Sequence, residues 1–232
     1  MKIIGHRGAA GLAPENSLEA IQAGIKAGVD AIEFDIRCTA DGELVLSHDA
    51  TTMRTHGVDR RVNDMHSHEV SKIRSPEGIS VPTLDQAVRL SGSTYLFIEG
   101  KSDSWAQPLS EYIKKHSLKR CSVISFNHSE LSKFKKLSPK IKTYVLEHRN
   151  PFDAINAART YNFDGIDFNF WTLNPLTYWL ARRHKFEIAV FTVNKSWLAS
   201  FLNFLYPRIA ITTNNPERMQ HLRDGKKRGI SV

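Results

Sequence analysis

Four short polar islands close apolar runs in this chain: Gly5-His6-Arg7-Gly8, Glu33-Phe34-Asp35, His48-Asp49 and Glu99-Gly100-Lys101. The carboxylates Glu33, Asp35 and Glu99 can hold a divalent cation through oxygen. His6 and His48 can move protons near neutral pH, while Arg7 and Lys101 can neutralise a phosphate. Together these are the parts of a metal-assisted attack on a phosphodiester. No structural task needs that combination.

Spacing sharpens the reading. Residues i and i+2 of a strand point to one side, so Glu33 and Asp35 share a face, as do Glu99 and Lys101 if that strand runs on without a bulge at Gly100. Two acids on one strand face inside an apolar barrel repel unless a positive charge lies between them. A hard cation such as Mg²⁺ or Ca²⁺ answers that need, with Glu99 from another strand as a third ligand. The bland alternative puts Glu33 and Asp35 on the solvent side, with Ile32, Phe34 and Ile36 as the buried set. His6 and His48 each close a strand, where catalytic groups gather in α/β barrels; each alone reads as structural, the two together as an acid/base pair. Arg7 offers a planar fork for two phosphate oxygens and Lys101 a point charge for a third. His66 and His68, in the polar run Asp64–Glu69, read as solvent-exposed.

The elements that must position these groups alternate along the chain. Strand-like runs are expected at Lys2–His6, Asp30–Ile36, Glu43–His48, Thr94–Glu99, Cys121–Phe126, Lys142–Leu146, Gly165–Phe168, Glu187–Val193 and Arg208–Thr212. The second and third are separated only by Cys38-Thr39-Ala40-Asp41-Gly42, a turn signal that makes them a hairpin-like pair and leaves eight positions around a barrel. Helix-length segments follow the other runs: Ser17–Ala27 after a possible cap at Asn16, Thr83–Leu90, Trp105–His116, Ser129–Leu137, Asp153–Tyr161, Pro175–His184, Lys195–Leu205 and Pro216–Asp224. Repeated β-α units argue for an α/β barrel with a parallel sheet. A doubly wound sheet is disfavoured because no glycine-rich dinucleotide turn follows the first strand.

Composition sets the frame. Over 232 residues apolar segments are evenly spread with no linker, so one domain spanning 1–232 is expected. No apolar run reaches a membrane span, and Met1-Lys2 leads straight into Ile3-Ile4 without room for a signal peptide; the expected location is the cytoplasm. Cys38 and Cys121 fit reduced, buried thiols. The net charge of +8 suits a field that draws in a phosphorylated small molecule better than nucleic-acid binding: the basic residues are scattered, as in Lys133-Phe134-Lys135-Lys136 and Lys226-Lys227-Arg228, without an RNA-binding aromatic signature. The oligomeric state is not readable.

The ordered series His6-Arg7-Gly8, Pro14-Glu15-Asn16-Ser17, Glu33-x-Asp35, Thr39-x-Asp41-Gly42, His48-Asp49, Arg54-Thr55, Pro82-Thr83-Leu84, Glu99-x-Lys101, Ser125-Phe126, Phe191-Thr192-Val193-Asn194 and Thr213-Asn214-Asn215-Pro216 resembles the glycerophosphodiester phosphodiesterase family over nearly the whole chain. The resemblance implies an irregular TIM (β/α)8 barrel of the PLC-like phosphodiesterase type, with a small insertion after the third strand at about 50–81. It implies one divalent cation, Mg²⁺ or Ca²⁺ with Mn²⁺ as a further candidate, on Glu33, Asp35 and Glu99. Acid/base roles fall to His6 and His48, and phosphate contacts to Arg7 and Lys101.

The expected reaction is hydrolysis of a glycerophosphodiester to glycerol 3-phosphate and an alcohol. Which histidine is the base, and whether water or a neighbouring substrate hydroxyl attacks, stay open. The chain departs from the family pattern at Phe191, where tryptophan is usual, at Asn214, where aspartate is usual, and at Ser17 for threonine. Rival readings are a lysophospholipase D or a phosphoinositide-type phosphodiesterase on the same barrel, for which Phe168, Phe170 and Trp171 could line an acyl trough. A non-catalytic phosphate-binding protein would have lost a ligand or a histidine; none is lost.

Overall fold

The computed structural model describes residues 1–101 and 103–224. Its strands are β1 (Lys2–Gly5), β2 (Ala31–Cys38), β3 (Leu44–Leu46), β4 (Thr51–Thr52), β5 (Val58–Arg61), β6 (Tyr95–Gly100), β7 (Cys121–Ser125), β8 (Lys142–Glu147), β9 (Gly165–Asn169), β10 (Glu187–Phe191) and β11 (Ala210–Thr213). Eight parallel strands close a ring in the order β1, β2, β6, β7, β8, β9, β10, β11 and back to β1. It is a TIM barrel. β3 stands outside the ring, antiparallel to the far end of β2 through Ile36↔Leu46 and Cys38↔Leu44. The hairpin-like pair is therefore present without a helix between its strands. Its turn is closed by the Thr39 N–H donating to the Glu43 carbonyl at 2.9 Å.

The helices are α1 (Leu18–Lys26), α2 (Met53–His56), α3 (Ser67–Val70), α4 (Leu84–Ser91), α5 (Ala106–Lys115), α6 (His128–Leu137), α7 (Pro151–Thr160), α8 (Pro175–Arg183), α9 (Ser196–Leu205) and α10 (His221–Asp224). Ser17 caps α1, its hydroxyl accepting from the Ala20 N–H at 3.0 Å. Asn16, the expected cap, is spent elsewhere. The helix expected over 216–224 is split into a 3-10 turn, Pro216–Met219, and the short α10.

The strands are buried on both faces, as a barrel inside a ring of helices requires. Ile32, Phe34 and Ile36 of β2 face outward with Ile21, Leu84 and Leu109 of the helices. Ala31 faces inward with Ile4, Phe97, Ile124, Tyr144 and Leu146. Alternation therefore sends Glu33 and Asp35 into the barrel. Residues 50–81 hold β4, β5, α2 and α3 over an apolar cluster of their own, Val62, Met65, Val70 and Ile73 with Val45 and Val81. Neither β4 nor β5 is expected from the sequence: β4 is two residues long, and β5 is four residues and mostly exposed.

The two cysteines are free, Cys121 buried with its thiol pushed up to about 12 by burial, Cys38 half-buried. Lys133 is exposed, but Lys135 is withdrawn into an ion pair with Asp164 at 2.7 Å. His66 and His68 are exposed.

Candidate active site

The first island is a turn built for its residues. The His6 N–H continues the ladder to the Thr213 carbonyl at 2.8 Å, and then Arg7 (φ 49°) and Gly8 (φ 90°) reverse the chain in left-handed conformations. A side chain at Gly8 would put its Cβ 2.5 Å from the Ala20 carbonyl carbon, so only glycine lets the turn sit on α1. The reversal aims the Arg7 N–H at Glu33 Oε2 (2.7 Å) and the Gly8 N–H at the Glu33 carbonyl (2.8 Å).

Inside the rim, Glu33, Asp35 and Glu99 are buried and each offers a carboxylate oxygen within 4.8 Å of the others. Asn16 grips Asp35 at both ends: its Nδ2 donates to Asp35 Oδ2 at 2.7 Å, and the Asp35 N–H donates to its Oδ1 at 3.0 Å. No bulge interrupts β6, because Gly100 pairs with Ile36 and the Lys101 N–H donates to the Ile36 carbonyl at 3.0 Å. Lys101 thus shares the inward face of Glu99; its Nζ pairs with Glu99 Oε1 and lies 3.1 Å from Asp35 Oδ1. Gly100 faces the Trp105 ring, which a Cβ would meet at 2.1 Å.

Electrostatics divide the acids. Burial and the Asp35 charge push Glu99 up to about 8, and burial with Asp35 and Glu99 holds Glu33 well above the usual carboxylate range. Burial works against ionised Asp35 too, but Lys101 and Arg7 outweigh it and hold the group well below its ordinary value. Glu33 Oε1 is buried with no hydrogen-bond partner among the described residues. An all-carboxylate donor set with an orphaned oxygen fits a hard divalent cation, which would also offset the burial and mutual repulsion that raise Glu33 and Glu99.

The histidines flank this cluster. His6 Nδ1 meets Asn214 Oδ1 at 2.6 Å, and Asn214 is itself fixed by its N–H donating to Asn194 Oδ1 at 2.9 Å. The amide oxygen accepts the Nδ1 proton, leaving His6 Nε2 toward Glu33 Oε2 at 4.0 Å. Burial and the neighbouring Arg7 bring His6 down to about 4, so the ring is neutral at pH 7. His48 pairs through Nδ1 with Asp49 Oδ1 at 2.7 Å, and its carbonyl accepts from Arg37 Nη2 at 2.7 Å. Burial lowers it as well, against the pull of Asp35. All seven side chains singled out in the sequence lie at the C-terminal rim of β1, β2, β3 and β6.

Residues 6–232 match the glycerophosphoryl diester phosphodiesterase family. The chain belongs to that family. It is 33% identical over 159 residues to a glycerophosphodiester phosphodiesterase of Caldanaerobacter subterraneus, covering 62% of this chain and 65% of that one. An uncharacterized protein of Bacillus subtilis is 32% identical over 160 residues, 62% of this chain and 66% of its own length. The chain thus spans just under two thirds of these relatives. The fold is shared with a phosphodiesterase of Oleispira antarctica solved in complex with the product sn-glycerol-3-phosphate, at a TM-score of 0.89 and 22% identity over 97% of each chain.

Family resemblance and structure meet at two of the departures, Asn214 and Phe191. Asn214 keeps a hydrogen bond to His6 but brings no charge to it. Phe191 still builds an aromatic wall, standing edge-on to Phe126 at 5.9 Å and 5.7 Å from the ring of His148, while Phe126 lies 5.7 Å from Lys101 Nζ. Phe168 is fully buried in the sheet-to-helix core, so it lines no trough; Phe170 is half-buried and stacks at 4.6 Å on Trp171, which is 82% exposed.

Several residues around the cluster are given no role in the sequence reading. Glu15 accepts from Arg7 Nη1 at 2.7 Å and from Arg54 Nη1 and Nη2 at 2.8 and 2.7 Å, while Arg54 Nε reaches Asp49 Oδ2 at 2.7 Å. This strap ties α2 to Arg7 of the first island and Asp49 of the third. Asp167 is buried inside the barrel, its Oδ1 without a hydrogen-bond partner among the described residues, and is held well above the usual range by burial and the charge of Glu99. A lone acid in the apolar run Gly165–Phe168 is the signal that could have found it.

Proposed function

We propose that this chain hydrolyses glycerophosphodiesters to glycerol 3-phosphate and the free alcohol, with one divalent cation held by Glu33, Asp35 and Glu99. The observation that carries the reading is the convergence of three buried carboxylates, one with an oxygen lacking any partner, between two cations and two histidines. The all-oxygen donor set favours Mg²⁺ or Ca²⁺, with Mn²⁺ next. The names of the Caldanaerobacter relative and of the Oleispira complex point to the same substrate class.

Once bound, the cation supplies positive charge against the phosphoryl oxygens. Arg7, 3.4 Å from Asp35, and Lys101, 3.1 Å from it, reach the same place and hold the phosphate. Neutral His6, its Nδ1 tied to Asn214, and His48, its Nδ1 tied to Asp49, both keep Nε2 for proton transfer. One, as the neutral ring, takes the proton of the attacking oxygen at its bare Nε2, and the other, as the imidazolium with a proton on Nε2, gives that proton to the departing alkoxide. The strap Glu15–Arg54–Asp49 keeps residues 50–81 beside the mouth, so the whole chain acts as one catalytic barrel domain with an insertion.

Phe170 and the exposed Trp171 favour a second reading, in which an acylated headgroup is accepted at the rim. The test is a panel of glycerophosphocholine, glycerophosphoethanolamine, a lysophospholipid and a phosphoinositide, each with and without chelator. Cation-dependent release of glycerol 3-phosphate from the first two is expected. Turnover of the lysophospholipid alone supports the second reading, and no turnover of any member overturns both.

A further inference from the structure

The apolar stripe of α9 faces the wrong way for a barrel helix. Ala199 and Leu202 pack on the core, while Trp197 (66% exposed), Phe201 (53%), Phe204 (82%) and Leu205 stand outward at i, i+4, i+7 and i+8. That spacing makes one continuous face on the helix surface. The adjoining α8, joined to the end of α9 by the Tyr178 hydroxyl donating to the Pro207 carbonyl at 2.5 Å, adds exposed Trp179. Scattered exposed apolar residues are ordinary; an aligned aromatic face of this kind marks a binding surface.

Charge identifies the partner. Lys195 precedes α9 and Arg208 follows it, both exposed, and the Arg183 guanidinium sits 5.4 Å from the Trp179 ring on α8. Glu187 is the only acid among residues 171–208, and Lys142 already pairs with it. A Trp/Phe stripe rimmed by cations is the pattern of a helix lying in the headgroup layer of an anionic bilayer. A second copy of the chain would press the same cations against themselves, on a protein of net charge +8.

We propose that α9, with Trp179 of α8, docks this protein on anionic lipid surfaces. No helix among the described residues is long and apolar enough to cross a membrane, so the contact is peripheral. The docking does not depend on the hydrolytic reading.

The test is sedimentation of the full chain with vesicles of phosphatidylcholine containing one quarter phosphatidylglycerol, or of phosphatidylcholine alone. Binding to the anionic vesicles at least about tenfold tighter than to the neutral ones, weakened by high salt, is expected. Phe201→Ser/Phe204→Ser should lose about tenfold or more of that binding with an unchanged melting curve, because both side chains are exposed. Lys195→Glu/Arg208→Glu, which keeps the stripe, should lose the preference for anionic vesicles. Binding to neither vesicle, or variants that bind as the parent does, overturns the proposal. So does a two-chain mass in light scattering that Phe201→Ser/Phe204→Ser returns to one chain, which assigns the face to a second copy.

Discussion

Asn16 and Asp35 hold each other by two hydrogen bonds, amide Nδ2 to carboxylate at 2.7 Å and the Asp35 N–H to amide Oδ1 at 3.0 Å. The pair fixes which Asp35 oxygen remains for the cluster, since Oδ2 is taken and Oδ1 faces Lys101. Groups that orient a metal-binding carboxylate typically carry about 10- to 100-fold in affinity. Asn16→Leu is therefore expected to weaken Mg²⁺ or Ca²⁺ binding by that range in calorimetric titration, and to cost about 1–3 kcal/mol of stability through the stranded Asp35 N–H. Unchanged cation affinity contradicts the orienting role.

Stability of the cation-free protein should fall as pH rises from 6.5 to 8. Glu99, with a folded pKa of about 8 against an ordinary 4.5, keeps a proton that the unfolded chain releases near 4.5, and Glu33 and Asp167 shift the same way. The folded state then binds more protons, and stability declines with pH across that window. His6, lowered from 6.5 to about 4, contributes stability that is complete above 6.5 and lost below it, so above 6.5 the acids act alone. The melting temperature in chelator is expected to be lower at pH 8 than at 6.5, and added cation to raise it more at pH 8. A melting temperature that climbs over the same interval contradicts this.

His6→Ala and His48→Ala should each lower turnover by about 10²-fold or more while the fold persists, the usual scale for losing a proton-transfer group. His66→Ala should not, because His66 is exposed and belongs to the capping of α3. Steady-state rates with circular dichroism as the folding control decide it; equal damage at His66 contradicts the pairing.

What the sequence made legible followed from local rules. Alternation placed Glu33 and Asp35 on one face, the short Asp41-Gly42 link made β2 and β3 a hairpin, and the helix expected over Thr83–Leu90 is α4, Leu84–Ser91. What escaped depends on closure of the ring. His6 and Asn214 are 208 positions apart and meet only because β1 pairs with β11. Asn16 looked like a helix cap because asparagine suits that position; the adjacent Ser17 took the cap, leaving the amide for Asp35. The Glu15–Arg54 strap spans 39 residues and two surface segments, with no periodicity to announce it.

Under the proposed function the Lys101 ammonium meets the phosphate, the constant part of the substrate, so Lys101→Met should depress every phosphodiester by a similar factor. Trp171→Ala should instead alter the ranking of headgroups, since this residue is 82% exposed just beyond the C-terminal end of β9. Relative rates for glycerophosphocholine, glycerophosphoethanolamine and a lysophospholipid read this out. Selective loss in Lys101→Met with uniform loss in Trp171→Ala reverses the two assignments.

The central claim is that Glu33, Asp35 and Glu99 bind a divalent cation on which phosphodiester hydrolysis depends. The most direct measurement follows glycerol 3-phosphate release from glycerophosphocholine by chelator-treated protein, before and after return of Mg²⁺, Ca²⁺ or Mn²⁺, with bound metal counted by elemental analysis. The account predicts loss of activity in chelator, recovery with at least one cation at about one ion per chain, and neither recovery nor bound ion in Asp35→Asn. Full activity in chelator with no metal bound contradicts it.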